Sequence, residues 1–143
     1  MHEERDWQGG TQATDDRGTE WERAVAIGQG AFYVATGIWP ILSLRTFEAV
    51  TGPKADGWLV KTAGVLITAI GAGLTTAGLR GRVTPDLKLV AVGAAAGLTA
   101  IDVVYVRRGR IAPIYLLDAV AEVALIGAWA AARLVRRGRR GAG

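Results

Sequence analysis

The stretch LKLVAVGAAAGLTAIDVVYV, residues 87–106, carries only two charged side chains, Lys88 and Asp102. A helix of about twenty residues crosses a bilayer core of roughly 30 Å. Three further runs have the same apolar character, at residues 24–44, 58–79 and 112–135. Their apolar residues are contiguous rather than alternating, which favours helices over a β-barrel. The sequence therefore predicts an all-α integral membrane protein, a four-helix bundle with both termini on the same side of the membrane.

The regions outside these runs differ in charge. Residues 1–23 are rich in acids and contain no apolar core, so we expect an acidic mobile N-terminal tail rather than a signal peptide. Within it, Thr19 and Glu22 have the spacing of a helix capping box. The alternative interpretation is that this spacing arises by chance. Residues 24–135 form the predicted membrane domain, and residues 136–143 form an Arg-rich C-terminal tail.

Residue types limit the chemistry that this chain can perform alone. It has no cysteine, one histidine (His2) and one serine (Ser43), which excludes thiol chemistry and a hydrolase triad. The sequence predicts no metal site and identifies no cofactor, and it leaves open whether the protein is an enzyme.

Basic residues predict the orientation in the membrane. Eleven Lys or Arg residues lie on the side of the termini and five on the other, so the positive-inside rule places both termini in the cytoplasm. The Arg-rich tail directly follows a span, which favours binding to anionic lipid headgroups over binding to nucleic acid. We expect a multi-pass protein of a bacterial plasma (inner) membrane; the oligomeric state is not predicted.

Acidic residues within the predicted spans mark the candidate site. Glu122 lies about ten residues into the fourth run, and Asp118 precedes it by one helical turn on the same face. Asp102 lies near the end of the third run, where it shares a membrane face with the start of the fourth. Ionisable groups inside membranes are costly and usually face a partner or a cavity. We therefore predict Glu122 and Asp118 as ligand anchors, or as an acid and a base, supported by Asp102.

Each of the four predicted helices carries polar residues along one face. We expect these four polar stripes to face inward. The Gly/Thr stripe of the second run includes Gly64 and Thr68. The loop at residues 45–57 is expected to form a charged lid whose cations offset the carboxylates, although interfacial aromatic and basic residues would give a similar pattern. The remaining predicted ligand-binding residues are Tyr33, Trp39, Arg45, Glu48, Lys61, Tyr105 and Tyr115.

One segment resembles a known group of proteins. The sequence WPILSLRTFEAVTGPKADGWLVKTAG, residues 39–64, looks like the first loop of small bacterial four-helix inner-membrane proteins. This resemblance implies four spans and no catalytic role. In small multidrug exporters the membrane acid lies in the first helix, whereas the acids of this chain lie in the third and fourth. Sterol-isomerase-like four-helix domains use paired acids in an apolar cavity, which is closer to the arrangement expected here. Their sequence motifs do not match this chain.

The combined features predict an intramembrane acidic cavity, open to one face, that binds a small amphipathic or lipid-like ligand and could be selective for cations. Two alternatives stay open. The protein could be a non-catalytic accessory or assembly subunit, or it could be a proton-coupled small transporter that works as a dimer around Glu122.

Overall fold

The computed structural model describes residues 4–140 of the chain, and it describes the side chains of residues 19–137. Residues 4–140 contain five helices and no strand: α1 (Glu4–Leu42), α2 (Leu44–Thr51), α3 (Gly57–Leu79), α4 (Pro85–Arg107) and α5 (Tyr115–Arg140). Four helical segments are long and apolar enough to span a membrane: Thr19–Leu42, Gly57–Leu79, Pro85–Arg107 and Tyr115–Arg137. The predicted all-α membrane four-helix bundle is confirmed, and the protein is a multi-pass membrane protein.

The helix bounds differ from the predicted ones mainly at the two termini. Helix α1 begins at Glu4 and so continues through most of the predicted tail. Helix α5 likewise continues to Arg140 through much of the Arg-rich segment. The mobility of residues 1–23 stays a prediction, and residues 1–3 and 141–143 lie outside the described part of the chain.

The closest packing in the bundle joins α1 to α3 through facing glycines. A Cβ atom at Gly71 would lie 2.7 Å from the carbonyl oxygen of Gly30 and 2.8 Å from the Cβ of Tyr33. A Cβ atom at Gly37 would lie 2.7 Å from the carbonyl oxygen of Gly64. Small residues allow this close approach, which supplies van der Waals contact where lipid provides no hydrophobic driving force. The α1–α3 pair is therefore a tight scaffold that fixes the position of α1.

The Gly/Thr stripe of α3 belongs to this scaffold. Thr68 and Thr75 donate their hydroxyl protons to carbonyl oxygens one turn back, those of Gly64 and Gly71, at 2.7 Å and 2.9 Å. The hydroxyls are thus satisfied within their own helix. The stripe faces inward as predicted, but its glycines pack directly against the α1 backbone, so it serves helix packing.

Short connections hold the remaining helices in place. Thr84 accepts a hydrogen bond from the backbone N–H of Leu87 as the N-cap of α4, and Pro85 follows at the first helical position. Gly81 and Gly109 adopt positive φ angles of 65° and 64° in the two turns that flank α4.

The helices form a ring with one weak seam. Helix α1 packs on α3 and α5, and α4 packs on α5, whereas α3 and α4 contact each other only sparsely. Gly93 and Gly97 of α4 form a GxxxG motif that is expected to pack within the bundle. Both glycines are exposed instead, and a Cβ atom at either would meet nothing within 4 Å. That packing prediction is wrong.

Candidate functional site

A polar column runs through the interior between α1, α4 and α5. On α1, Glu22, Gln29 and Tyr33 are spaced by seven and four residues and so share one face. The opposing face of α5 carries side chains at the same spacings, namely Asp118, Glu122, Trp129 and Arg136. Helix α4 adds Lys88 and Asp102. We call the side of the membrane with both termini the terminal side and the opposite side the loop side.

Glu122 is the most deeply buried acid of the column, with 0 % of its surface exposed. The Tyr33 hydroxyl donates a hydrogen bond of 2.8 Å to its Oε2 atom. The other carboxyl oxygen, Oε1, is buried and has no hydrogen-bond partner among the described residues. None of the ion pairs found for residues 19–137 involves Glu122. A buried carboxyl group without a cation, and with a bare oxygen, is costly inside a membrane, which makes Glu122 the candidate for a functional role.

Asp102 and Asp118 form a carboxyl pair on the loop side of Glu122. Their carboxyl groups lie close enough to act electrostatically on each other, and both act on Glu122. Asp102 is 5 % exposed, and its Oδ2 atom also has no hydrogen-bond partner among the described residues. Asp102, Asp118 and Glu122 together form the acidic cluster.

Gln29 links the three helices on the terminal side of the acidic cluster. Its Nε2 atom donates to the carbonyl oxygen of Ala91 at 2.9 Å, and its Oε1 atom accepts from Trp129 Nε1 at 2.7 Å. Tyr33 lies one turn further along the same face of α1. The column thus continues from Glu122 through Tyr33 and Gln29 to Trp129.

Glu22 lies at the terminal-side end of the column and, unlike Glu122, has ion-pair partners among residues 19–137. It is 4 % exposed and forms ion pairs with Lys88 of α4 and Arg136 of α5. The carboxylate therefore connects α1 to both neighbouring helices. Glu22 belongs to this pairing rather than to a cap, since α1 begins well before it.

The predicted lid does not offset the acidic cluster. Arg45 and Lys61 are exposed, and neither forms an ion pair among residues 19–137. Lys54 donates to the carbonyl oxygen of Thr51 and lies 5.0 Å from the ring centroid of Tyr115. The expectation that loop cations offset the carboxylates is wrong, because α2 forms within the loop and its charges are satisfied locally or exposed.

Three other predicted residues also lie apart from the cluster. Trp39 donates to the Thr46 hydroxyl at 2.9 Å and packs edge-on against Phe47, so it holds α2. Glu48 accepts from the backbone N–H of Lys54 at 3.1 Å, and Tyr105 is largely exposed. The structure therefore joins Tyr33 and the three acids, and the ligand-binding roles of the other predicted residues stay predictions.

Sequence reasoning missed the part of the column that lies near the terminal side. It assigned Glu22 to the tail and gave Lys88 and Arg136 no individual role. The available signal was the spacing of seven residues between Glu22 and Gln29, which extends the α1 stripe by two turns to a position two residues before the apolar run.

A groove of about 720 Å³ lies between α4 and α5 on the terminal side. We call it the basic groove, and its lining residues are Glu22, Pro85, Lys88, Leu89, Val92, Ile126, Trp129, Ala130, Arg133, Arg136 and Arg137. Of these, Glu22, Lys88, Trp129 and Arg136 also belong to the polar column. The residues of the acidic cluster do not line it, so the two features are separate.

A scan against protein-family models, a search of curated proteins and a search of solved structures found no match to this chain.

Proposed function

We propose that this membrane protein binds a small amphipathic cation at the acidic cluster. The observation that carries the proposal is the state of Glu122, which is fully buried, without an ion-pair partner in residues 19–137, and bare at one oxygen. A protonated amine or a similar cation would supply the missing charge and a donor for that oxygen. The apolar bulk of such a ligand would favour its partition into the membrane.

The geometry around Glu122 supports selectivity for cations. Asp102 and Asp118 add negative charge on the loop side, and the Tyr33 hydroxyl holds one Glu122 oxygen in place. The attraction between opposite charges is strong where water is excluded. The ligand would reach the cluster from the loop side, where Asp102 and Asp118 lie close to the ends of their helices.

Proton-coupled transport is the second candidate, and the polar column favours it. Two hydrogen-bonded pairs, Tyr33–Glu122 and Trp129–Gln29, follow one another from the acidic cluster toward the terminal side. Carboxyl groups that exchange protons with a neighbour can serve as relay groups. A pH gradient across liposomes should then drive ligand flux through the wild type but not through Glu122→Gln.

The membrane setting of the proposal is a bacterial plasma membrane with both termini in the cytoplasm. It is supported by the distribution of basic residues, since the terminal side carries most of them. The basic residues at the C-terminal end of α5 would also interact with anionic lipid headgroups on that side.

Native mass spectrometry of the detergent-purified protein tests the binding proposal. We expect a small co-purified mass on the wild type that is absent from Glu122→Gln. Asp86→Asn is the matched control, because Asp86 is an exposed acid at the start of α4 and lies outside the cluster. A bare wild-type protein, equal in stability to Glu122→Gln, would favour the accessory-subunit alternative.

A further inference from the structure

The basic groove changes character with depth in the membrane. On α5 its lining begins with Arg137 and Arg133, in the last turns of the span, and continues inward to Ala130 and Ile126. Ile126 lies seven residues from Arg133, which corresponds to about 10 Å along the helix axis. On α4 the lining likewise passes from Lys88 to Leu89 and Val92. The groove thus has a cationic mouth at the interface and apolar walls toward the hydrocarbon core.

Charge at the mouth is only partly compensated. Four basic side chains and one acid line the groove, and the acid, Glu22, pairs with Lys88 and Arg136. Arg133 and Arg137 are exposed and have no ion-pair or hydrogen-bond partner among residues 19–137. They are spaced by four residues and therefore present two guanidinium groups on one face of α5. Guanidinium groups match the geometry of phosphate oxygens.

We propose that the basic groove binds one anionic phospholipid from the surrounding leaflet. Its phosphate would lie between Arg133 and Arg137, and an acyl chain would lie along Leu89, Val92 and Ile126. A volume of about 720 Å³ is in the range of pockets that hold small organic ligands. The N-terminus of α4, which reaches the groove at Pro85, adds a partial positive charge toward the phosphate. This site differs from the acidic cluster in location and in the charge of its ligand.

Trp129 provides a fluorescent probe inside the groove. We would replace Trp7, Trp21, Trp39 and Trp58 by Phe and reconstitute the resulting protein in phosphatidylcholine vesicles. A few mole per cent of brominated phosphatidylglycerol is expected to quench Trp129 much more than the same amount of brominated phosphatidylcholine. A protein that keeps only Trp58, an exposed residue at the loop end of α3, reports the bulk lipid and should show a much smaller preference. Equal quenching of Trp129 by the two brominated lipids would overturn the proposal.

Variants that remove the charge of Arg133 and Arg137 test whether these two residues form the site. Arg133→Gln/Arg137→Gln is expected to reduce the preference for phosphatidylglycerol about tenfold or more, since each basic residue contributes to binding anionic lipid. The matched control is Arg107→Gln/Arg108→Gln, which removes two exposed arginines from the loop side and should keep the preference. A preference that survives in Arg133→Gln/Arg137→Gln contradicts the assignment.

Native mass spectrometry gives an independent readout that needs no tryptophan replacement. The wild type, mixed with equal amounts of phosphatidylglycerol and phosphatidylcholine, should retain one phosphatidylglycerol, and Arg133→Gln/Arg137→Gln should lose it. An excess of soluble glycerol phosphate should not displace the lipid, because it lacks the acyl chains that fill the apolar walls. Complete displacement, or equal retention of the two lipids, would overturn the proposal.

Discussion

Glu22 and Glu122 are both buried in the same bundle, at 4 % and 0 % exposure, yet their surroundings differ. Glu22 has two cationic partners from two neighbouring helices. Glu122 has one tyrosine hydroxyl, two further carboxyl groups nearby and a bare oxygen. The first arrangement joins three helices, whereas the second leaves a carboxyl oxygen without a partner among the described residues. Burial alone therefore does not distinguish the two acids; the presence or absence of an ion-pair partner among residues 19–137 does.

The largest expected effect on stability comes from displacing α1. This helix carries one of the two acids and the hydrogen-bond partner of the other. Helix α1 carries Glu22 and Tyr33, and Gly71 of α3 lies directly against it. Gly71→Ala should lower the free energy of unfolding in detergent by about 1–3 kcal/mol, because the new methyl group has no space. Gly73→Ala is the matched control, since a Cβ atom there meets nothing within 4 Å. Equal stability of the two variants would show that the α1–α3 scaffold does not position the column.

Substituting the two acids by glutamine sharpens the comparison directly. Glu22→Gln should lower the free energy of unfolding by about 1–2 kcal/mol, between the values typical of exposed and buried ion pairs. Glu122→Gln should leave stability unchanged or raise it, because the amide oxygen still accepts from Tyr33 and no ion pair is lost. Thermal unfolding of both variants in one detergent provides the measurement. A larger loss for Glu122→Gln than for Glu22→Gln would reverse our interpretation of the two sites.

A smaller effect is expected from removing the one described hydrogen bond to Glu122. Tyr33→Phe deletes the hydroxyl that contacts Oε2 and should cost about 1 kcal/mol of stability. The same change should weaken ligand binding, because the carboxyl group is then less well positioned. In a double-mutant cycle, Tyr33→Phe should have little further effect on stability in the Glu122→Leu background. Additive losses would mean that the two side chains do not act together.

The smallest expected effect concerns the loop. Lys54→Ala removes the contact with the Tyr115 ring, which is worth about 0.5 kcal/mol at exposed sites. Since the loop cations do not pair with the acidic cluster, ligand affinity should change by no more than about twofold. A tenfold loss of affinity in a binding titration would instead support the charged lid that the sequence predicts.

The sequence predicts the four spans because their length and apolar composition are set by the bilayer. It also predicts that Tyr33, Asp118 and Glu122 face the interior of the bundle, since spacings of three, four and seven residues fix a helix face. It does not predict which neighbour each face meets. The α3 stripe of glycine and threonine has the same period as a polar lining, and only the contact with α1 shows that it serves packing. The sequence assigns Glu22 to the tail because this charged residue lies outside the apolar run. In the structure, its contacts with ion-pair partners on two other helices keep it buried.

The central claim is that the acidic cluster binds a cation through Glu122, and one binding titration tests it most directly. Tetraphenylphosphonium and tetraphenylborate are nearly equal in size and apolar surface but opposite in charge. Titrated into the detergent-purified protein, the cation should bind the wild type and Asp86→Asn and should lose most of its affinity for Glu122→Gln, whereas the anion should bind none of them specifically. Equal binding of the cation to the wild type and to Glu122→Gln, or no binding of the cation at all, would contradict the account.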